Sequence, residues 1–380
     1  MTLPLLDEKQ QEKQRLRSLK EMLHRHSVPA AEALIQRRDG GDVQCFACGH
    51  RCLVKPGRDG VCRVRFNDNG TLLVPHGYVG ALACDPIEKK PFFHVLPGSD
   101  ALTFGMLGCD FHCGYCQNWV TSQMLRDPNA VAPPRIGTAQ QLVDLAIKNK
   151  APVIASSYNE PLITSEWAVE VFKEAKSRGL ICAYISNGNG TPQVIDFIRP
   201  YVSAYKVDLK TFDPKHYREL GGVLENVTNT VKMLKERGFW VEIVTLVVPG
   251  FSDVSDDLKR MADFLASVDP LMPWHMTAFH PDYKMMDRRQ TTADDLLRIV
   301  EIGKQAGLRY LYPGNLPGQV GELENTRCHH CNALLIRRHG FLVTYNRMRE
   351  DGNCPDCRRA IPGIWGKSSG HGDGRVRPLL

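Results

Sequence analysis

No run of about 18 apolar residues occurs in the 380-residue sequence, so no segment reads as a transmembrane helix. The opening stretch, MTLPLLDEKQQEKQRLRSLKEM, lacks the apolar core of a secretory signal. A strong charge of one sign is also missing: 48 basic residues stand against 42 acidic ones, a formal +6. No internal repeat is evident beyond the strand–helix unit described below. These absences lead to the expectation of a cytoplasmic globular protein without a membrane partner. At 43% hydrophobic and 24% charged, the composition is that of a chain able to bury a large core.

Cysteine is abundant, and it is clustered. Eleven of the thirteen fall at 45–62, 109–116 and 328–357, leaving Cys84 and Cys182 outside. Disulfides are rare in a reducing compartment, so grouped cysteines there point to metal or redox chemistry. Cys182 sits in the apolar run LICAYI and reads as a small buried hydrophobe.

The sequence divides into a helical extension at 1–40, a Cys-rich metal module at 41–75, a catalytic core at 76–322, a ribbon-like module at 323–366 and a flexible tail at 367–380. The Gly/Ser-rich last fifteen residues, GKSSGHGDGRVRPLL, read as disordered. Within the core, β-branched runs at 102–107, 153–157, 180–186, 204–209, 240–248, 275–279 and 308–312 alternate with helical patterns such as TAQQLVDLAIKNK and TADDLLRIVEIGKQAG. Such alternation predicts parallel strands with helices outside: an α/β fold, a partial (β/α)6 TIM-type barrel. In barrels of this kind, chemistry gathers where the strands end. The polar stretches GCDFHCGYC, YNEP, SNGNG, DLK, PG, FHPDY and YPGNLPG do follow the seven predicted strands.

Cys109, Cys113 and Cys116 form a C-x3-C-x2-C loop after the first of them. A four-iron cube normally takes four thiolates, so three in one loop leave one iron open for a substrate. A zinc loop borrowing His112 is the bland alternative. Here the sequence resembles the radical S-adenosylmethionine (SAM) superfamily over roughly residues 100–320. The resemblance implies a [4Fe-4S] cluster on those cysteines, SAM on the open iron, and a 5′-deoxyadenosyl radical that abstracts hydrogen. It further implies SAM contacts from Tyr115, Asn159, Glu160 (toward the amino group), Ser186 and Asn187. Asp208 and Lys210 resemble the DLK element of activating enzymes, with Lys210 toward the SAM carboxylate. His280 resembles a histidine that reaches SAM, and Lys210 and His280 are the implied catalytic residues. One departure stands out: Ile185 occupies a place where glycyl-radical activases have aspartate.

Cys328, Cys331, Cys354 and Cys357 make two C-x2-C knuckles around ALLIRRHGFLVTYNRM, which reads as a hairpin about His339-Gly340; together they describe a zinc ribbon. Four cysteines complete that site without His329 or His330. Cys45, Cys48, Cys52 and Cys62 fit either zinc or an auxiliary iron–sulfur cluster, with zinc slightly preferred; spacing alone does not decide. The succession CFACGHRC, DPIEKKPFFHVLPGS, GCDFHCGYCQNW, FHPDY, GNLPG and the ribbon with IPGIW resembles the AmmeMemoRadiSam-system enzymes, relatives of pyruvate-formate-lyase activating enzymes. That resemblance implies AMMECR-type and Memo-type partners and a low-potential donor, flavodoxin or ferredoxin. Two other readings remain: a glycyl-radical activase acting on a partner protein, and a non-catalytic metal-ribbon protein binding RNA or protein through the net +5 segment from Glu324 onward. That segment lacks the interleaved aromatics of a base-stacking surface, so nucleic acid is not the expected partner.

Overall fold

The computed structural model describes residues 19–127, 129–130, 134–366 and 374–379. Its main sheet has nine strands. They are numbered β1 (Ala81–Pro86), β2 (Asp100–Gly105), β3 (Val153–Ser156), β4 (Ile181–Ser186), β5 (Ala204–Asp208), β6 (Trp240–Val247), β7 (Trp274–Ala278), β8 (Leu311–Gly314) and β9 (Arg377–Pro378). Strands β2 to β8 lie parallel and in sequence order, with pairings such as Val153 to Ala101 and Ile243 to Trp274. These are the seven expected strands. β1 runs antiparallel beside β2, and β9 pairs outside β1. The sheet therefore has two free ends, β8 and β9, and is an open half-barrel rather than a closed one.

Six crossover helices cover the outside: Ala139–Lys148, Ser165–Ser177, Pro192–Ile198, Leu224–Glu236, Ser255–Val268 and Ala293–Gln305. Their starts follow from the sequence. Thr138 caps the first with a reciprocal bond to Gln141, and Thr292 caps the last with Asp295, satisfying backbone donors that a helix leaves open. Apolar faces such as Leu142, Val171, Val231, Leu258 and Ile299 pack on the sheet. Inside the curl, small residues fill the floor: Ala101, Val153, Ala183 and Ala204 close around Ile87, Phe92 and Val95.

Two expectations are corrected. The helical pattern at the start persists only to residue 25; the expected helices before residue 19 lie outside the described residues. Ser27–Pro29 and Ile35–Arg37 are instead strands, pairing with Thr71–Pro75 and Val43–Cys45. Pro29 has no amide hydrogen to continue a helix, and this segment finds its partners in the Cys-rich module. The tail is also not wholly unstructured, because Arg377 and Pro378 pair with Cys84 and Ala83. Residues 367–373 of that tail are not among those described. No helix among the described residues is long and apolar enough to cross a membrane.

The C-terminal ribbon is an antiparallel sheet of Thr326–Arg327, Leu334–His339 and Leu342–Asn346, with the hairpin turn where expected. It stands across the gap of the half-barrel. On the β8 side, Tyr312 hydrogen-bonds Thr326 at 2.9 Å and Tyr310 meets His329 at 3.0 Å. On the β1 side, the buried Arg338 guanidinium pairs with Glu88 at 3.4 Å and donates to the Phe93 carbonyl at 2.8 Å. His94 joins the two sides, bonding the Pro362 carbonyl and the Tyr312 hydroxyl. Burial pushes His94 down to about 4, so it holds this junction as a neutral ring.

Candidate active site

Alternate residues of each strand face the inside of the curl, and their character changes along the strand. On β5 the series runs Ala204, Lys206, Asp208, then Lys210 just beyond: apolar at the floor, charged above. Asp208 lies between two cations, bonding Lys206 and standing 3.6 Å from Lys210. Burial opposes charge on Lys210, but Asp208, then Cys113 and Tyr115, hold its ammonium well above the usual range. A cavity of about 630 Å³ opens over these groups. Cys109, Cys113 and Cys116 all line it, as do Tyr115, Asn159, Glu160, Asn187, Asp208 and Lys210. Thus the loops after β2, β3, β4 and β5, far apart in sequence, reach one space.

Glu160 follows β3 and is pinned by three donors: Leu162 N at 3.0 Å, Ser186 Oγ at 2.7 Å and Asn187 N at 2.8 Å. Burial, and then the neighbouring Asp110, hold its carboxyl above the usual range. A cation arriving beside it would relieve both effects. Asn159 accepts from Met106 N at 3.0 Å and so fastens β3 to the approach of the cysteine loop.

Two of the expected residues do not line this cavity. Ser186 does not line the cavity; its hydroxyl is spent on Glu160, because the inward positions of β4 are Ile185 and its odd-numbered neighbours. His280 is exposed beside Gln117, and it too is absent from the cavity wall. β7 ends at Ala278, so His280 stands in the loop beyond it, its Nε2 3.1 Å from the side chain of Gln117, which does line the cavity.

Several residues in or behind the wall went unread in the sequence. Asp110, inside the cysteine loop, accepts from Asn187 and Asn189, each at 2.8 Å, and ties that loop to the one after β4. Lys206 was legible from the K-x-D-x-K spacing of one strand face. Lys90 bonds Asp85 at 2.7 Å and lies 3.3 Å from the Tyr158 hydroxyl; burial lowers it to about 8. Deeper, His275 meets Glu242 at 2.7 Å, and Glu242 also accepts the amides of Phe93 and His94. These two carried no motif.

Three thiols on one cavity wall make a site for a metal cluster with fewer protein ligands than metals. The residues present fit that group. His112 offers no fourth ligand, being exposed and packed where a Cβ on Gly221 would lie 2.5 Å from its ring. The Tyr115 hydroxyl is buried without a protein partner in the same wall. Cys109 accepts an amide bond from Phe111 at 3.3 Å, and Cys116 lies 3.2 Å from the Ser122 hydroxyl. Such donors stabilise thiolates.

Residues 104–265 match the Radical SAM superfamily. An uncharacterized protein of Methanocaldococcus jannaschii is 36% identical over 308 residues, covering 80% of this chain and 90% of its own. A pyruvate formate-lyase-activating enzyme of Staphylococcus epidermidis is 27% identical over 191 residues, 46% of this chain and 74% of that enzyme. Among solved structures, SuiB of Streptococcus suis aligns with a TM-score of 0.44 at 15% identity, over 60% of this chain and 52% of its own. The chain belongs to the radical SAM superfamily, whose members use a [4Fe-4S] cluster and SAM, and it is distantly similar to the pyruvate formate-lyase activases.

The ribbon fits a different metal. Cys328 and Cys357 sulfurs are 3.6 Å apart and those of Cys331 and Cys354 3.7 Å apart. Four thiolates around one zinc at about 2.3 Å stand roughly 3.8 Å from one another. All four lie within 4.8 Å, and among the described residues no other group of three or more metal-ligating side chains is so close.

Proposed function

We propose that this chain performs radical SAM chemistry on a small molecule held inside the half-barrel, and that it is an AmmeMemoRadiSam-type enzyme. One observation carries the small-molecule reading: the chain's own ribbon occupies the open side. His339, Gly340, Phe341 and Leu342 of the hairpin, with Gly374 of the tail, line the same cavity as the three cysteines. A glycine loop of a partner protein would need that side free. A cavity of about 630 Å³ is of the size that takes small ligands.

In this reading Cys109, Cys113 and Cys116 hold the cluster, and the pair of cluster and SAM supplies a carbon radical that takes hydrogen from the substrate. The chain's own residues bind and orient. Glu160, fixed by its three donors, faces the SAM ammonium; Lys210, fixed by Asp208, faces the SAM carboxylate; Tyr115 offers its unpartnered hydroxyl. Lys90, held by Asp85, and Lys206, held by Asp208, give the remaining space polar groups that can orient a substrate. The order of sequence elements supports the AmmeMemoRadiSam assignment, with AMMECR-type and Memo-type proteins as partners and flavodoxin or ferredoxin as electron donor.

The test is formation of 5′-deoxyadenosine from SAM by anaerobically reconstituted, dithionite-reduced protein, beside Cys113→Ala. Product from the wild type alone supports the reading. A glycyl radical signal appearing on an added partner protein would replace the small-molecule reading with the activase one. RNA binding that weakens with salt, without SAM turnover, would favour the non-catalytic reading.

A further inference from the structure

Cys45, Cys48, Cys52 and Cys62 are unpaired by disulfides, and all four line one small cavity together with Arg65 and Ile163. Three of them are buried and Cys52 is half-buried. Four thiols facing a common void, on a module of short strands, form a metal site. The identity of the metal follows from a comparison within the same molecule.

At the ribbon the sulfurs have closed to 3.6 and 3.7 Å, the spacing of a single tetrahedral ion. In the N-terminal module no three sulfurs lie within 4.8 Å of one another, and the same is true of Cys109, Cys113 and Cys116. Each thiolate of an iron cube binds a different iron, so neighbouring sulfurs stand roughly 6 Å apart. The module's sulfurs are thus not drawn around a single ion as the ribbon's are. Gly60 leaves the site open: a Cβ there would lie 3.7 Å from the Cys52 sulfur and 3.8 Å from that of Cys62. Donors also reach the sulfurs, Val61 N to Cys52 at 3.5 Å and the buried Arg65 guanidinium to Cys45 at 3.8 Å. Hydrogen bonds of this kind and a nearby cation tune cluster potential.

The module also abuts the cysteine loop. A Cβ on Gly108, the residue before Cys109, would lie 2.7 Å from Val64 and 3.2 Å from the Cys62 carbonyl. Arg126 bridges the two, donating to the Cys109 carbonyl at 2.7 Å and to the Val61 carbonyl. We infer that Cys45, Cys48, Cys52 and Cys62 hold a second [4Fe-4S] cluster, which relays electrons to the cluster of the cysteine loop. It accepts one electron from a low-potential one-electron carrier protein and passes that electron on, being reoxidised as the loop's cluster is reduced. The inference rests on the proposed function only in taking the loop as a cluster site.

The test uses the full chain carrying Cys109→Ala, Cys113→Ala and Cys116→Ala together, purified anaerobically from cells supplied with both iron and zinc. Iron, sulfide and zinc are measured beside the wild type, with EPR after dithionite reduction. The wild type should hold about eight iron and one zinc, and the triple variant about four iron and one zinc with a reduced-cluster signal retained. Replacing Cys45, Cys48, Cys52 and Cys62 with Ala as well in the triple variant should remove that iron and signal while the ribbon's zinc stays, showing that the rest of the fold survives. Two zinc and no iron in the triple variant, or no metal in the module at all, overturns the inference. Equal iron in the wild type and the triple variant would instead sink the loop as a cluster site and leave the module's cluster standing.

Discussion

The two four-cysteine modules attach to opposite ends of one half-barrel. The N-terminal module sits at the strand ends, against Gly108, Ile163 and Asn189. The ribbon sits at the strand starts and the open side, against Glu88, Phe93, Tyr310 and Tyr312. Equal numbers of cysteines thus serve unequal tasks. Where the thiols have drawn together, the module builds a wall; where they stand apart, it neighbours the proposed redox centre. Position on the barrel, more than cysteine count, separates the two.

The sharpest way to break this contrast is to remove one cysteine from each region. Cys113→Ala should abolish 5′-deoxyadenosine formation, a loss of at least about 10³-fold, while the melting temperature stays near that of the protein without its cluster. Cys354→Ala should do the reverse in kind: zinc is lost and unfolding by urea is eased by several kcal/mol, on the order of what small zinc sites contribute. If both variants melted alike and failed alike, the division between wall and redox centre would fall.

A smaller effect tests the contact between the N-terminal module and the loop. Gly108 has φ near +90°, and any side chain would press on Val64. Gly108→Ala should cost about 1–3 kcal/mol in denaturant unfolding and slow SAM cleavage. An unchanged stability would mean that the module and loop move independently.

The mildest test concerns the ribbon's buried anchor. Burial raises the Glu88 carboxyl from 4.5 to about 7, despite Arg338. Its folded form binds a proton more tightly than its unfolded form. Its favourable contribution is therefore full below about pH 4.5 and is lost as pH rises through 7. Wild type should lose stability relative to Glu88→Gln across that window. Parallel melting curves from pH 4.5 to 7 would refute the assignment.

Much of this architecture was readable because it rests on local pattern. All seven parallel strands came from β-branched runs, the helix starts from Thr138 and Thr292, and the hairpin from His339-Gly340. What was hidden depended on partners distant in sequence. Nothing in ALACDP marks β1 as an antiparallel neighbour of β2, and Arg377-Pro378 becomes a strand only because that edge exists. The site shows the same divide. Three cysteines, Glu160 and Lys210 could be read from motifs, whereas His275 and Glu242 are 33 residues apart and meet only through the pairing of β6 and β7. His280 lies two residues past the end of β7, where strand parity no longer tells which way a side chain turns.

With zinc as the ribbon's ion, the hairpin that fills the open side would give the enzyme two separate nutritional dependencies. A cell starved of zinc would leave Cys328, Cys331, Cys354 and Cys357 without their ion and Phe341 and Leu342 without a fixed seat. Radical chemistry would then fail with iron and sulfur plentiful, for want of a wall.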